Sequence, residues 1–130
     1  MKMTLGQIIA SKGAWEKIAT SPKPPKMALA ISTFVGDIIN KNITAAQIQI
    51  NEYIGTYNTA KEGENPSVSA EVDKEKYAEF LAAYNEYVGA EVEFEPIKFT
   101  MVEFIDALDT VKGASIEELV IDVIKPFFKE

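Results

Sequence analysis

The chain has 130 residues, 47% hydrophobic and 25% charged, the size and composition of one domain with one core, which excludes a disordered, collagen-like or membrane-embedded chain. All 13 basic residues are Lys, and Cys, His and Arg are absent; thiol and imidazole nucleophiles, zinc thiolate sites, redox dithiols and bidentate Arg clamps are thereby excluded. With 20 acidic residues the formal net charge is −7, and since the Lys are scattered, nucleic-acid backbones and anionic membrane surfaces are repelled.

Thr4 and Gln7 have the spacing of a capping box, and Leu5, Ile8, Ile9, Trp15 and Ile18 fall on one broad helical face. This predicts a helix over about 4–20. Gln7, Ser11, Lys12 and Gly13 divide its apolar run, so it lacks the core of a signal peptide. No stretch reaches the ~20 apolar residues that cross a bilayer. The expectation is a single cytosolic domain, 1–130.

Ser21-Pro22-Lys23-Pro24-Pro25 breaks the first helix, and Pro25 suits the first turn of the next. From Lys26 to about Ala60 the pattern stays helical. Ile39, Ile43, Ala46, Ile50, Tyr53, Tyr57 and Ala60 alternate steps of 4 and 3, the spacing of a coiled-coil seam. Ala28, Ile31 and Val35 extend it with one stutter. Gly36 and the Asn40-Lys41-Asn42 patch lower helix propensity, which places a kink or break near 40–44, with Thr44 and Gln47 as the caps of a restart.

Lys61 to Ser67 reads as an exposed loop. Asp73 then caps a helix whose Tyr77, Phe80, Leu81, Tyr84, Tyr87 and Val88 form one stripe, with Gly89 at a left-handed ending position. A long helix, a loop and a second amphipathic helix predict an antiparallel hairpin with facing stripes. Beyond Gly89 the period falls to 2 over Glu91-Val92-Glu93-Phe94-Glu95, a strand confined to an edge or an end by Pro96. Its partner is expected at Ser67–Val72. Thr100 with Glu103 caps a short helix closed by Gly113, and Ser115 with Glu118 caps a last one stopped by Pro126. The fold class is mainly α with minor β: a long-helix antiparallel hairpin, short flanking helices and one small edge strand pair.

Glu91, Glu93 and Glu95 put three carboxylates on one strand face, suited to a divalent cation, a Lys/Arg-rich partner or imitation of a phosphate row; a solvated edge that deters aggregation accounts for the same pattern. Trp15 is the single Trp, and is either an anchor for a partner or core. The aromatic stripe over 77–88 is core packing rather than a platform for bases. No glycine spacing forms a phosphate-cradling loop. Catalytic residues, metal ligands and cofactors are not expected.

The order of these signals resembles a family of short, acidic proteins of unknown function encoded by bacteriophages and prophages of Gram-positive hosts. The residues that carry the resemblance are Pro24-Pro25-Lys26-Met27-Ala28 at the start of the long helix and Glu91-Val92-Glu93-Phe94-Glu95-Pro96-Ile97. It implies a host-cell cytosolic protein and brings no catalytic residues with it. The functional expectation is a small non-enzymatic phage-type accessory protein acting through self-association or a protein partner, with Trp15, Glu91, Glu93 and Glu95 as contact residues. The alternatives are an acidic inhibitor of a host defence or nucleic-acid enzyme, and a carboxylate hydrolase with a divalent metal.

Overall fold

In the computed structural model, which describes residues 1–130, Thr4 begins the first helix as its side chain requires. Its hydroxyl accepts from the Gln7 amide at 3.2 Å while the Gln7 side chain accepts from the Thr4 amide at 2.9 Å, satisfying two donors that a helix start leaves free. The helix is α1, Leu5–Ala10, and it follows a short strand β1, Lys2–Thr4. The expected single helix over 4–20 is divided: α2 runs Lys12–Thr20. Between the two, the Ser11 hydroxyl donates to the Ile8 carbonyl at 2.6 Å, a side-chain bond that competes with the helical ladder.

The linker ends where Pro25 enters the first turn of α3, Pro25–Phe34. Helical backbone then continues without interruption through a π-helical turn, Val35–Asn40, into α4, Lys41–Thr56. The irregularity thus lies one turn earlier than the low-propensity patch predicts, and Thr44 caps nothing. Its cause is visible in the buried residues. Ile31 and Phe34 are followed by Ile39, Ile43 and Ala46, so one step is five residues long. At ~100° per residue that step would turn Ile39 well away from Phe34; a wider i→i+5 turn returns it to the same face. The Asn42 side chain supports the junction, donating to the Ile38 carbonyl at 2.7 Å.

Asp73 accepts from the Lys76 amide at 3.1 Å and starts α5, Lys74–Val88. Gly89 ends it with φ −80° rather than in the left-handed region. The segment expected to be a strand, Ser67–Val72, is loop. Its amides are used elsewhere: Ser67 donates to the Asn58 side chain at 3.0 Å and Ser69 to the Thr59 hydroxyl at 2.9 Å. The partner of β2, Glu91–Glu93, is instead β1, antiparallel, with Lys2 opposite Glu93, Met3 opposite Val92 and Thr4 opposite Glu91. Alternation puts Met3 in the core and leaves Lys2 and both glutamates exposed.

A second two-stranded sheet joins β3, Ile97–Thr100, in parallel with β4, Phe128–Lys129. Between them lie α6, Met101–Leu108, with the full Thr100–Glu103 capping box, and α7, Glu118–Ile124. Gly113 adopts φ +81° in the intervening turn, a conformation in which a side chain is strained. Ser115 does not cap α7, which begins three residues later. Glu117, at its start, pairs with Lys17 of α2 at 3.7 Å.

The fold is mainly helical, and its core is one cluster of 17 buried residues drawn from α1, α2, α3, the π turn, α4, α6, α7 and the strands. Five of the seven Phe and the single Trp form its aromatic centre, and a sixth, Phe99, packs against it. Phe127 packs on Trp15, Phe34 and Phe94 at ring distances of 5.5, 6.0 and 6.0 Å, and Phe128 on Phe99 and Phe104 at 5.7 and 5.5 Å. No helix is long and apolar enough to cross a membrane.

Candidate functional site

The four residues singled out in the sequence are not brought together. Trp15 is 2% exposed; its ring lies 5.7 Å from Phe34 and 5.5 Å from Phe127, and its indole N–H donates to Ser11. It is core, with almost no surface to present to a partner. Glu91 and Glu93 share the exposed face of β2, but that face also carries Lys2 directly opposite Glu93. A cation in the row weakens any imitation of successive phosphates. Glu95 lies beyond the end of β2 and lines a cleft of about 570 Å3 between α3 and the β2–β3 connection. Phe34, Ile38 and Ile97 line this cleft, as do Lys26 and Asp37, and no group of three or more acidic side chains is placed to share a metal ion.

A different surface stands out once burial is considered. Every tyrosine in the chain, Tyr53, Tyr57, Tyr77, Tyr84 and Tyr87, lies on or just beyond α4 and α5, and each is only half-buried. Tyr53 packs on Tyr87 at 6.2 Å and Tyr57 on Phe80 at 6.5 Å, with Phe80 stacked on Tyr84 at 6.2 Å. None of these residues belongs to the core cluster, and α5 contributes no buried residue at all. The seam expected to be core along its length therefore splits. Ile39, Ile43 and Ala46 are buried in the body of the protein; Ile50, Tyr53 and Tyr57 are only half-buried, with the two tyrosines packed on α5. Leu81, on the same helix, is exposed.

This division has a chemical logic. Phe and Trp side chains with no hydroxyl to hydrate fill the body, whereas Tyr combines an apolar ring with a polar tip and tolerates a surface that is wet at one time and covered at another. Tyr is also enriched at protein interfaces. The seam's end near the body is tied down by α1: Gly6 sits against Val88, where an added Cβ would come within 3.3 Å of the Val88 carbonyl oxygen. The sequence displays the tyrosines and their helical spacing; what it does not display is that the body is filled without them.

A second feature is Lys23, in the proline-rich linker. Its Nζ donates to the Ile18 and Ser21 carbonyls at 2.6 and 2.8 Å, closing the C-terminal end of α2. Burial lowers its pKa from the ordinary lysine value. The Ser21 hydroxyl in the same linker is buried with no hydrogen-bond partner.

No family model, curated protein or solved structure matches this chain.

Proposed function

We propose that this is a small non-enzymatic accessory protein that acts through protein–protein contact, and that the α4–α5 seam is covered by a second copy of the chain. The observation that carries this reading is α5 itself: a helix with Tyr77, Phe80, Tyr84, Tyr87 and Val88 on one stripe and no buried residue. We read 41–88 as an antiparallel hairpin, because Tyr53 meets Tyr87 while Tyr57, further along α4, meets Phe80, further back on α5. Two such hairpins can complete each other's stripes as helices do in a four-helix bundle. A contact of this kind is isologous and closes at two copies.

The resemblance carried by residues 24–28 and 91–97 supports placing the protein among phage or prophage accessory proteins, working in the host cytosol. The inhibitor reading rests on Glu91, Glu93 and Glu95, and Lys2 opposite Glu93 counts against it.

The chain has no Cys, which makes a clean test available. Leu81→Cys on α5 and Leu29→Cys on α3, both at exposed positions, are treated with a short bismaleimide. The proposal predicts a covalent dimer from the Leu81 variant and little from the Leu29 variant. Equal yields, or none from either, would refute it.

A further inference from the structure

The cleft of about 570 Å3 between α3 and the β2–β3 connection carries side chains that the tyrosine seam does not use. Lys26, Ala30, Thr33 and Asp37 line it at helical steps of 4, 3 and 4, so it runs lengthwise along α3 and into the π turn. Phe34 and Ile97 also line it but belong to the core; the apolar surface on offer is Leu29, 72% exposed, with the half-buried Ala30, Ile38 and Pro96. Lys26 and Asp37 are exposed and eleven positions apart in the sequence, about 15 Å at ~1.5 Å per residue. Glu95 and Lys98, also exposed, line the cleft from the β2–β3 side. None of these four groups is in an ion pair, since the one such pair in the chain is Lys17 with Glu117. Their charges cancel, on a chain whose net charge is −7.

We propose that this cleft binds an extended segment of a partner protein that carries an acidic and a basic residue four positions apart with an apolar residue midway. The acid pairs with Lys26, the base pairs with Asp37, and the apolar side chain lies between Leu29 and Ile38. The spacing selects an extended chain. Four strand steps of ~3.3 Å cover about 13 Å, and alternation puts the acid, the apolar residue and the base on one face; the long side chains span the rest. A helix advances only about 6 Å in four residues, and a small zwitterion such as a free amino acid separates its charges by less than the cleft requires. A segment with charges of one sign only meets repulsion at one end, which sets the preference for both signs. This surface lies on α3 and does not rest on the α4–α5 seam being an interface.

Titration of isotope-labelled protein with Ac-Glu-Thr-Leu-Thr-Lys-NH2, followed by amide chemical shifts, reads affinity and location together. The proposal predicts saturable shifts centred on Leu29, Ala30, Thr33 and Lys98 with Kd below about 1 mM, and at least about threefold weaker binding of the same peptide with Gln at both ends. Single exposed ion pairs are weak, so charge reversal is a sharper test than deletion. Lys26→Glu should bind the original peptide at least about threefold more weakly than the wild type, and Ac-Lys-Thr-Leu-Thr-Lys-NH2 at least about threefold more tightly. Leu29→Ser, at an exposed position, should keep the wild-type melting temperature and weaken the original peptide by at least about threefold. No saturable shifts, shifts centred elsewhere, equal binding of the Gln peptide, an unchanged preference in Lys26→Glu, or unaltered binding in Leu29→Ser would overturn the proposal.

Discussion

Trp15 donates its indole N–H to the Ser11 hydroxyl at 3.1 Å, with both side chains buried. The same hydroxyl donates to the Ile8 carbonyl at 2.6 Å, so one serine both divides the N-terminal helical run and satisfies the only polar group of the largest core side chain. Ser11→Ala leaves a buried indole N–H without a partner and is expected to cost ~1–3 kcal/mol. Urea unfolding measures it. A Trp15→Phe background, which removes the donor, should shrink the loss; an unchanged loss there would show that the bond to Trp15 is not the cause.

The split seam makes a graded prediction. Heptad spacing alone assigns Ile39 and Ile50 the same core role, but Ile39 is 1% exposed in the main cluster whereas Ile50 is half-buried outside it. Ile39→Ala is expected to cost ~2–5 kcal/mol. Ile50→Ala should cost about 1 kcal/mol at dilutions where copies are separate. Thermal unfolding at matched concentrations distinguishes the two, and comparable losses would contradict the division of the helix described above.

Much of the local structure was legible in the sequence because it is decided within a few residues. Thr4 with Gln7, Thr100 with Glu103, Asp73 and Pro25 all start helices where their side chains say they should. What escaped is non-local or compensated. The partner of Glu91–Glu93 comes from the opposite end of the chain, and no pattern in Lys2–Thr4 selects it over Ser67–Val72. Spacing runs the seam through Ile31, Val35 and Ile39 with one stutter, whereas the protein buries Phe34 ahead of Ile39 and absorbs that five-residue step in a π turn. At the candidate surface, the helical spacing of the tyrosine stripe is visible in the sequence and predicts core. Its exposure follows only once the six Phe and Trp15 are seen to fill the body.

Phe127 and Phe128 form the hinge of that filling, and the sequence marks them only as two apolar residues after Pro126. Phe127, 2% exposed, touches Trp15, Phe34 and Phe94. Phe127→Ala is expected to cost ~3–5 kcal/mol, a large share of a small domain's stability. Chemical denaturation gives the value; a loss under about 1 kcal/mol would mean that the C-terminal segment is not part of the core.

Lys23 supplies a pH dependence whose sign is fixed. Its pKa is lower in the folded protein than the unperturbed 10.5, because burial penalises the charged form. The unfolded chain therefore holds more protons between the two values, and stability rises with pH across that window. Below the folded value both states are charged, and the full desolvation cost of the ammonium is felt. Relative to Lys23→Met, which removes the titration, the wild type should gain stability as pH is raised toward 10.5. The difference between the two, followed by denaturant midpoint, reads this directly; a difference that is constant or falls with pH would contradict it.

The central claim is that the half-covered tyrosine seam is an interface between copies, and sedimentation equilibrium tests it most directly. The wild-type chain is predicted to move with rising concentration from 14.4 kDa toward twice that mass. Tyr84→Glu, a charge placed on the seam outside the core cluster, should stay at the single-chain mass while keeping its helical circular dichroism. A wild-type chain that holds the single-chain mass at every concentration, or a Tyr84→Glu variant that associates as the wild type does, would contradict the account.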